Sequence, residues 1–181
     1  IKTNLDKLDF SKLYKKQMKN STLKSKSSSD WDKKAKEFNQ NIKASSYTKD
    51  FIKKVDLNDC ETLLDVGSGP ATISLALAKK LKNIYALDYS PTMLELAKQN
   101  AKEQNIENLI TIDKSWYDSW EDVPNADIVI ASRSMEVKDI KKALIKLNEK
   151  ANKRVYITTK VGGSFIDKEN LNQIKRDIIP R

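Results

Sequence analysis

Histidine is absent from this 181-residue sequence, and cysteine occurs once, as Cys60. A single cysteine excludes an internal disulfide bond. The absence of histidine removes the commonest zinc and iron ligand and the most frequent general base. The sequence therefore predicts a protein without a transition metal, and it identifies no catalytic base.

Long hydrophobic runs are also missing. No apolar stretch approaches the ~18 residues that a membrane-spanning helix needs, and no apolar segment follows the N-terminal charges as in a signal peptide. We therefore expect a soluble, cytoplasmic protein. Hydrophobic residues make up 39% of the chain. A chain of this size with that content can bury roughly 70% of the surface that its unfolded form exposes.

The net charge of +9 is unevenly distributed. Residues 1–54 hold 15 lysines and 6 acidic residues, whereas residues 55–181 hold 19 basic and 19 acidic residues. The sequence therefore divides into a basic leader over 1–54 and an electrically balanced domain over 55–181.

Only four glycines occur, as the pairs Gly67 with Gly69 and Gly162 with Gly163. Glycine is favoured where a backbone needs a positive φ or a close approach, so two places in the chain are predicted to have that need.

The leader is predicted to be helical. Apolar spacing favours a helix over Asn4–Asn20, and the serines and lysines of Ser21–Ser29 predict a linker. Asp30 is a candidate cap for a second helix, whose apolar stripe is Trp31, Ala35, Phe38 and Ile42. A short helix is expected over Tyr47–Val55.

After Leu57, short apolar runs alternate with helical segments. The predicted strands are Thr62–Val66, Ile84–Leu87, Leu109–Ile112, Ala126–Ala131 and Arg154–Thr159. The predicted helices are Ala71–Leu81, Pro91–Gln104 and Lys138–Lys150. The strands are continuously apolar, as strands buried on both faces are. This pattern predicts a doubly wound α/β fold with a parallel sheet.

A glycine loop leaves the first strand at Gly67 and Gly69. In open α/β sheets, ligands bind outside the carboxyl ends of the strands, which is where this loop stands. Asp88 ends the next strand, where a carboxylate can accept hydrogen bonds from a ribose diol. The third glycine of a dinucleotide fingerprint would fall at Thr72, and the Asp65 carboxylate would repel a pyrophosphate. A cationic ligand without phosphate fits better than NAD.

Two runs resemble the first two cofactor motifs of class I S-adenosylmethionine-dependent methyltransferases. They are Asp65-Val66-Gly67-Ser68-Gly69-Pro70 and Ala86-Leu87-Asp88-Tyr89-Ser90-Pro91-Thr92-Met93-Leu94. The likeness extends from about Trp31 to Ile166. It implies a Rossmann-like, mostly parallel sheet, with five strands in this chain in the order 3-2-1-4-5 and helices on both faces. It also implies that the N-terminal helical leader over 1–54 would lie over the cofactor site as a lid.

The resemblance also implies S-adenosylmethionine as cofactor. Asp65 would orient the methionine amino end, the glycine loop would wrap the ligand, and Asp88 would hold the ribose hydroxyls. Residues after the second and third strands would line the adenine. The cofactor-binding residues implied in this way are Asp65, Gly67, Ser68, Gly69, Asp88, Tyr89, Met93, Ser115, Trp116 and Ser132.

The acceptor is less constrained. The segment 131–135 lacks the Asn-Pro-Pro-Tyr run of many amide and amino-group methyltransferases, and Cys60 lies too far away in sequence to serve as a pyrimidine C5 nucleophile. Arg133 is a candidate clamp for an acidic substrate or a structural ion-pair partner. Trp31, Phe38 and Tyr47 are candidate substrate contacts or simple packing residues.

Two functions stay open. One is a methyltransferase of small molecules. The other is an RNA- or protein-directed methyltransferase, or an inactive RNA-binding relative, in which leader lysines contact phosphates. Those lysines are Lys12, Lys15, Lys16, Lys19, Lys24 and Lys26.

The end of the sequence leaves little room after Thr159. A helix is expected over Asp167–Asp177, but the two further strands usual in the resembled family would not fit. We therefore expect the chain to be part of a longer protein. The last strand would then form a sheet edge, which favours covering or homodimerisation.

Overall fold

The computed structural model describes residues 9–20 and 26–159. Its centre is a five-stranded sheet in which neighbouring strands are parallel and the order is β3-β2-β1-β4-β5. The strands are β1 (Thr62–Val66), β2 (Asn83–Asp88), β3 (Leu109–Asp113), β4 (Ala126–Ser132) and β5 (Ala151–Thr158). The predicted fold class and strand order are confirmed.

Helices flank the sheet. They are α1 (Phe10–Asn20), α2 (Ser28–Ala44), α3 (Tyr47–Ile52), α4 (Thr72–Leu77), α5 (Pro91–Glu103) and α6 (Ile140–Lys150), and a 3-10 turn over Ala78–Lys80 follows α4. None of the described helices is long and apolar enough to cross a membrane.

The strands are apolar throughout because both faces of the sheet are covered. On β1, Leu63 packs in a cluster with residues of α3 and α4, while its neighbour Leu64 packs in a second cluster with Leu147 of α6. Both leucines are fully buried. Successive side chains of a strand point to opposite faces, so the continuous run of leucines matches a sheet with a core on each side.

The predicted start of the second helix was wrong. Ser27, and not Asp30, is the N-cap of α2. The Ser27 hydroxyl accepts a bond from the Asp30 N–H at 3.3 Å, and the Asp30 carboxylate accepts one from the Ser27 N–H at 2.9 Å. This reciprocal capping box draws Ser28 and Ser29 into the helix, so the predicted linker is too long at its C-terminal end. Its first five residues lie outside the described part of the chain.

Other boundaries also differ from expectation. α4 starts after Ala71, whose φ of +58° is left-handed, and it ends in the 3-10 turn before Leu81. α6 begins at Ile140 because Asp139 caps it, accepting from the Lys142 N–H at 3.2 Å.

The last strand and the outer helices show smaller differences. β5 begins at Ala151, which pairs with Ala126 across an irregular register, and not at Arg154. α3 ends at Ile52. The Gly162–Gly163 pair and the helix expected over Asp167–Asp177 lie outside the described residues, as does the start of the first predicted helix.

α2 is tied to the start of α5 and to the glycine loop. Asp32 accepts hydrogen bonds from the Ser90 hydroxyl at 2.6 Å and from the Thr92 N–H at 3.2 Å. The Asn100 amide donates to Asn39 of α2 and to the carbonyl of Pro70, both at 3.0 Å. These bonds hold α2 at the carboxyl edge of the sheet.

Candidate functional site

The loop after β1 is held in a left-handed conformation. Gly67 has a φ of +67° and Gly69 a φ of +55°. The N–H groups of Gly67 and Ser68 both donate to the carbonyl of Leu87, at 2.7 and 3.1 Å. The loop is thus fixed to the end of β2, and glycine is required because this φ disfavours side chains.

Asp88 holds the other side of the same loop. Its carboxylate accepts from the Gly69 N–H at 2.8 Å through one oxygen and from the Ser90 N–H at 2.9 Å through the other. The residue is 6% exposed, and burial raises the pKa of its carboxyl group. Each carboxylate oxygen can accept more than one bond, so Asp88 keeps capacity for a ligand's hydroxyl groups.

Asp65 is a second buried acid, at the end of β1. It is 2% exposed and accepts a short hydrogen bond from the buried Ser74 hydroxyl. Burial, with a further contribution from the charge of Asp88, raises its pKa to about 7. No ion pair among the described residues includes either acid. Two buried carboxylates without a cationic partner suit a positively charged ligand that carries hydrogen-bond donors.

The close approach at Gly67 is made by the protein itself. A Cβ at this position would lie 2.4 Å from the Ser134 Cβ. Ser134 donates from its hydroxyl to the Val66 carbonyl at 2.6 Å, which closes the segment after β4 over the loop. Space at Gly67 is therefore needed for Ser134, whatever else binds there.

Gly69 faces a different neighbour. A Cβ there would meet Phe38 of α2 at 3.6 Å and the Met93 sulfur at 3.9 Å, both ordinary contacts. Phe38 also packs edge-to-face on Trp31, with ring centroids 5.6 Å apart. The two aromatics of α2 thus lie together beside the glycine loop, and Met93 is buried beneath it.

Tyr89, next to Asp88, reaches toward the start of α2. Its hydroxyl donates to the Lys26 carbonyl at 2.9 Å. Partial burial and the nearby Asp88 charge raise the pKa of this phenol. The contact links the end of β2 to the segment that precedes the candidate lid helix.

Ser115 and Trp116 stand in the turn after β3, and much of their polar capacity is used by the protein. The Ser115 N–H donates to the Asp118 carboxylate at 2.6 Å, and the Ser115 carbonyl accepts from the Trp120 indole at 2.9 Å. The Trp116 indole N–H donates to the Ser134 carbonyl at 3.0 Å. Trp116 therefore connects the end of β3 to the segment after β4.

The remaining predicted residues form a separate group at the ends of β4 and β5. The Tyr47 hydroxyl lies 2.7 Å from the Ser132 hydroxyl and 2.5 Å from the Thr158 hydroxyl. The Arg133 guanidinium carbon lies 3.5 Å from the centroid of the Tyr47 ring. Tyr47 thus joins Ser132 and Arg133, and not the aromatics of α2.

Sequence reasoning missed several residues that build the site. Ser134 follows a predicted strand, and a polar residue at such a place is the only signal that could have found it. Ser74, Asn100, Asp32 and Thr158 act through long-range contacts, and nothing in the sequence pattern marks them.

Comparison with known proteins gives independent evidence on the family of this chain. Residues 57–177 match the model of a family described as a methyltransferase domain. An uncharacterised protein of Haemophilus influenzae is 39% identical over 151 residues, which is 82% of this chain and 56% of that protein. The chain thus spans about half the length of that curated relative.

A solved structure has the same fold, and shorter sequence matches include proteins named as methyltransferases. A SAM-dependent methyltransferase from Aquifex aeolicus has the same fold, with a TM-score of 0.59 at 18% identity over 81% of this chain and 86% of that one. A protein of Methanocaldococcus jannaschii named "Probable cobalt-precorrin-6B C(15)-methyltransferase (decarboxylating)" is 39% identical over 32% of this chain and 31% of its own. A protein of Methanosphaera stadtmanae named "Probable ribosomal RNA small subunit methyltransferase A" is 31% identical over 32% of this chain and 21% of its own.

Proposed function

The chain belongs to the class I S-adenosylmethionine-dependent methyltransferases, and from that premise we propose that it methylates a small-molecule acceptor at the carboxyl edge of its sheet. The pair of buried acids, Asp65 and Asp88, around a left-handed glycine loop supports the cofactor site. The observation that carries the choice of a small acceptor is the packing of α2 beside that loop. When bound, S-adenosylmethionine supplies a methyl group on a positively charged sulfur.

The carboxylates and the residues around them fit this cofactor. Asp88 would accept from the ribose hydroxyls through oxygens that already fix the Gly69 and Ser90 N–H groups. Asp65, which is 2% exposed and accepts a bond from the Ser74 hydroxyl, would orient the methionine amino end. Tyr89, Met93, Ser115 and Trp116 would border the adenine.

The leader would act as a lid. α2 places Phe38 against the glycine loop, and Asp32 and Asn39 tie the helix to α5. Closing such a helix over a site excludes water. An enclosed site of this kind favours a small acceptor over a large one, and this is the reason to prefer a small molecule.

The acceptor would lie by Arg133, which follows the predicted cofactor residue Ser132 at the end of β4. Methyl transfer is an in-line displacement, and holding donor and acceptor in line can supply roughly 7–11 kcal/mol of the barrier. Positioning by the chain's own residues would therefore account for catalysis without a histidine base.

Calorimetry with S-adenosylmethionine, S-adenosylhomocysteine and NAD tests the proposal. We expect binding of the first two and none of NAD, because the loop offers carboxylates where a pyrophosphate needs donors. NAD binding in the absence of the other two would overturn it.

A salt titration with RNA tests the alternative acceptor class. Lys12, Lys15, Lys16 and Lys19 are exposed on α1, and phosphate contacts would make RNA affinity fall steeply with salt. Tight, salt-dependent RNA binding would favour an RNA-directed enzyme in place of a small-molecule one.

A further inference from the structure

Arg133 is the feature of the acceptor region that the proposed function leaves unexplained. It is exposed, and no ion pair among the described residues includes it. We propose that Arg133 anchors a carboxylate group of the methyl acceptor, so that the substrate is a small carboxylic acid. This inference rests on the proposed function, because it places the acceptor beside the cofactor loop.

The backbone at Arg133 is held in an unusual conformation. Its φ is +57°, in the left-handed region that residues other than glycine seldom adopt. The Arg133 N–H donates to the Thr158 carbonyl at 3.0 Å, so the end of β5 fixes the turn. Strained residues of this kind cluster at binding and active sites.

A ring of three hydroxyl groups holds Tyr47, the residue against which the Arg133 guanidinium packs. Tyr47, Ser132 and Thr158 lie within 2.5 to 3.2 Å of one another in all three pairs. Three hydroxyl protons are enough for the three hydrogen bonds of the ring, and these bonds immobilise the phenol. When each hydroxyl donates to the next one, no proton of the ring is left for an anion, and the Arg133 guanidinium is the charged donor beside the ring.

The stacked geometry keeps the guanidinium available. With its face on the Tyr47 ring at 3.5 Å, its planar edge can donate two parallel hydrogen bonds to one carboxylate. Arg154 provides the contrast. It donates to the Asn58 carbonyl and pairs with Asp56, both at 2.9 Å, so its donors are used inside the protein.

The residue that follows Arg133 contacts the glycine loop. Ser134, one residue after Arg133, bonds to the Val66 carbonyl and contacts Gly67. A carboxylate held by Arg133 would therefore place the rest of an acceptor near the mouth of the site.

Side-chain NMR can observe this binding directly, since the sequence has only four arginines, Arg133, Arg154, Arg176 and Arg181. Succinate and benzoate are titrated at constant ionic strength, with and without S-adenosylhomocysteine, while the arginine Nε–Hε signals are recorded. The neutral controls are succinamide and benzamide. Arg133→Lys assigns the signal and keeps the charge, Arg133→Gln removes it, and Lys102→Gln matches the charge loss at an exposed site on α5.

We expect a saturable shift of the Arg133 signal with a carboxylate and none with the amides. Arg133→Gln should weaken carboxylate binding by about 10- to 100-fold, as the loss of a charged hydrogen-bonded pair does, and Arg133→Lys should weaken it less. Lys102→Gln should leave binding unchanged.

No saturable Arg133 response to either acid, or an equal loss in Lys102→Gln, would overturn the proposal. Its failure is distinct from failure of the proposed function, because S-adenosylhomocysteine binding to Arg133→Gln is measured in parallel and should match the unmutated chain.

Discussion

Acidic side chains at the two edges of the parallel sheet have pKa values shifted in opposite directions, as Asp127 at one edge and Asp65 and Asp88 at the other show. At the amino edge, Asp127 accepts bonds from the Glu61 and Thr62 N–H groups at 2.8 and 3.2 Å, and Lys153 lies 3.7 Å away. These backbone donors hold its pKa below the ordinary value. At the carboxyl edge, burial raises the pKa of Asp65 and of Asp88.

The difference lies in the partners of the acids. Asp56 pairs with Arg154 at 2.9 Å, so at the amino edge the protein supplies its own cations. Among the described residues, no Lys or Arg forms an ion pair with the two acids of the carboxyl edge. Buried carboxylates in that situation are costly for the protein, and a cationic ligand would offset the cost.

The largest expected effect is on stability and comes from substitution of Gly67. It tests whether the glycine loop at the carboxyl edge is needed for folding as well as for binding. Gly67→Ala should destabilise the protein by about 1–2 kcal/mol for the left-handed backbone and about 1–3 kcal/mol for the contact with Ser134. Gly69→Ala should cost only the first part, because its new Cβ would make ordinary contacts.

Urea denaturation of both variants checks this, with Gly67→Ala/Ser134→Gly as the rescue. Equal losses of unfolding free energy in the two alanine variants would show that Ser134 does not set the requirement at Gly67.

The next largest effect is expected from substitution of Asp65, which should change how stability depends on pH. Its folded pKa of about 7 exceeds the ordinary 3.8, so its contribution is fully present below the ordinary value and is lost as the pH rises to 7. Across that window it lowers the free energy of unfolding by up to about 1.4 kcal/mol per pH unit. Asp65→Asn should remove this slope and raise stability above pH 7.

Asp127→Asn is the matched control for that profile. The Asp127 pKa is lowered, so its stabilisation is present above the ordinary value and lost in acid. That loss falls below pH 3.8, so between pH 4 and 8 the slope of the urea midpoint should stay in Asp127→Asn and disappear in Asp65→Asn. An unchanged pH profile in Asp65→Asn would contradict the raised pKa.

Asp88 and Asp127 should separate binding from stability. Asp88→Asn should weaken S-adenosylhomocysteine binding by about 1.5–3 kcal/mol through lost charged hydrogen bonds and change stability less. Asp127→Asn should cost stability of similar size and leave affinity unchanged. Calorimetry and urea denaturation on both variants decide this, and weakened ligand binding in Asp127→Asn alone would reverse the assignment of the two edges.

The sequence was sufficient for the sheet and the loop, since buried strands and glycines leave local signals. Five apolar runs gave the strands of the observed sheet, and β1 matched over Thr62–Val66. The predicted roles of the site residues stay predictions. The helix caps were harder to predict, because Ser27 and Asp30 are both good capping residues. Only the reciprocal hydrogen bonds between them identify Ser27 as the N-cap.

Long-range partners could not be predicted. Ser134 meets Gly67 because β4 lies beside β1 in the sheet, and Tyr47 reaches Thr158 across 111 positions of the chain. Such contacts depend on the strand order and on loop paths, neither of which a single run of residues encodes. The sequence predicted Tyr47 at the start of a short helix, but not its contacts with the ends of β4 and β5.

The most direct test of the central claim is the proton balance of ligand binding. A cationic cofactor beside Asp65 and Asp88 should lower their raised pKa values and release protons. Calorimetry of S-adenosylmethionine binding at pH 6.5, repeated in buffers of different ionisation enthalpy, measures this release. We predict net proton release by the unmutated chain and a smaller release by Asp65→Asn. Binding with no proton release, or with proton uptake, would contradict the claim that these buried acids are completed by the cofactor.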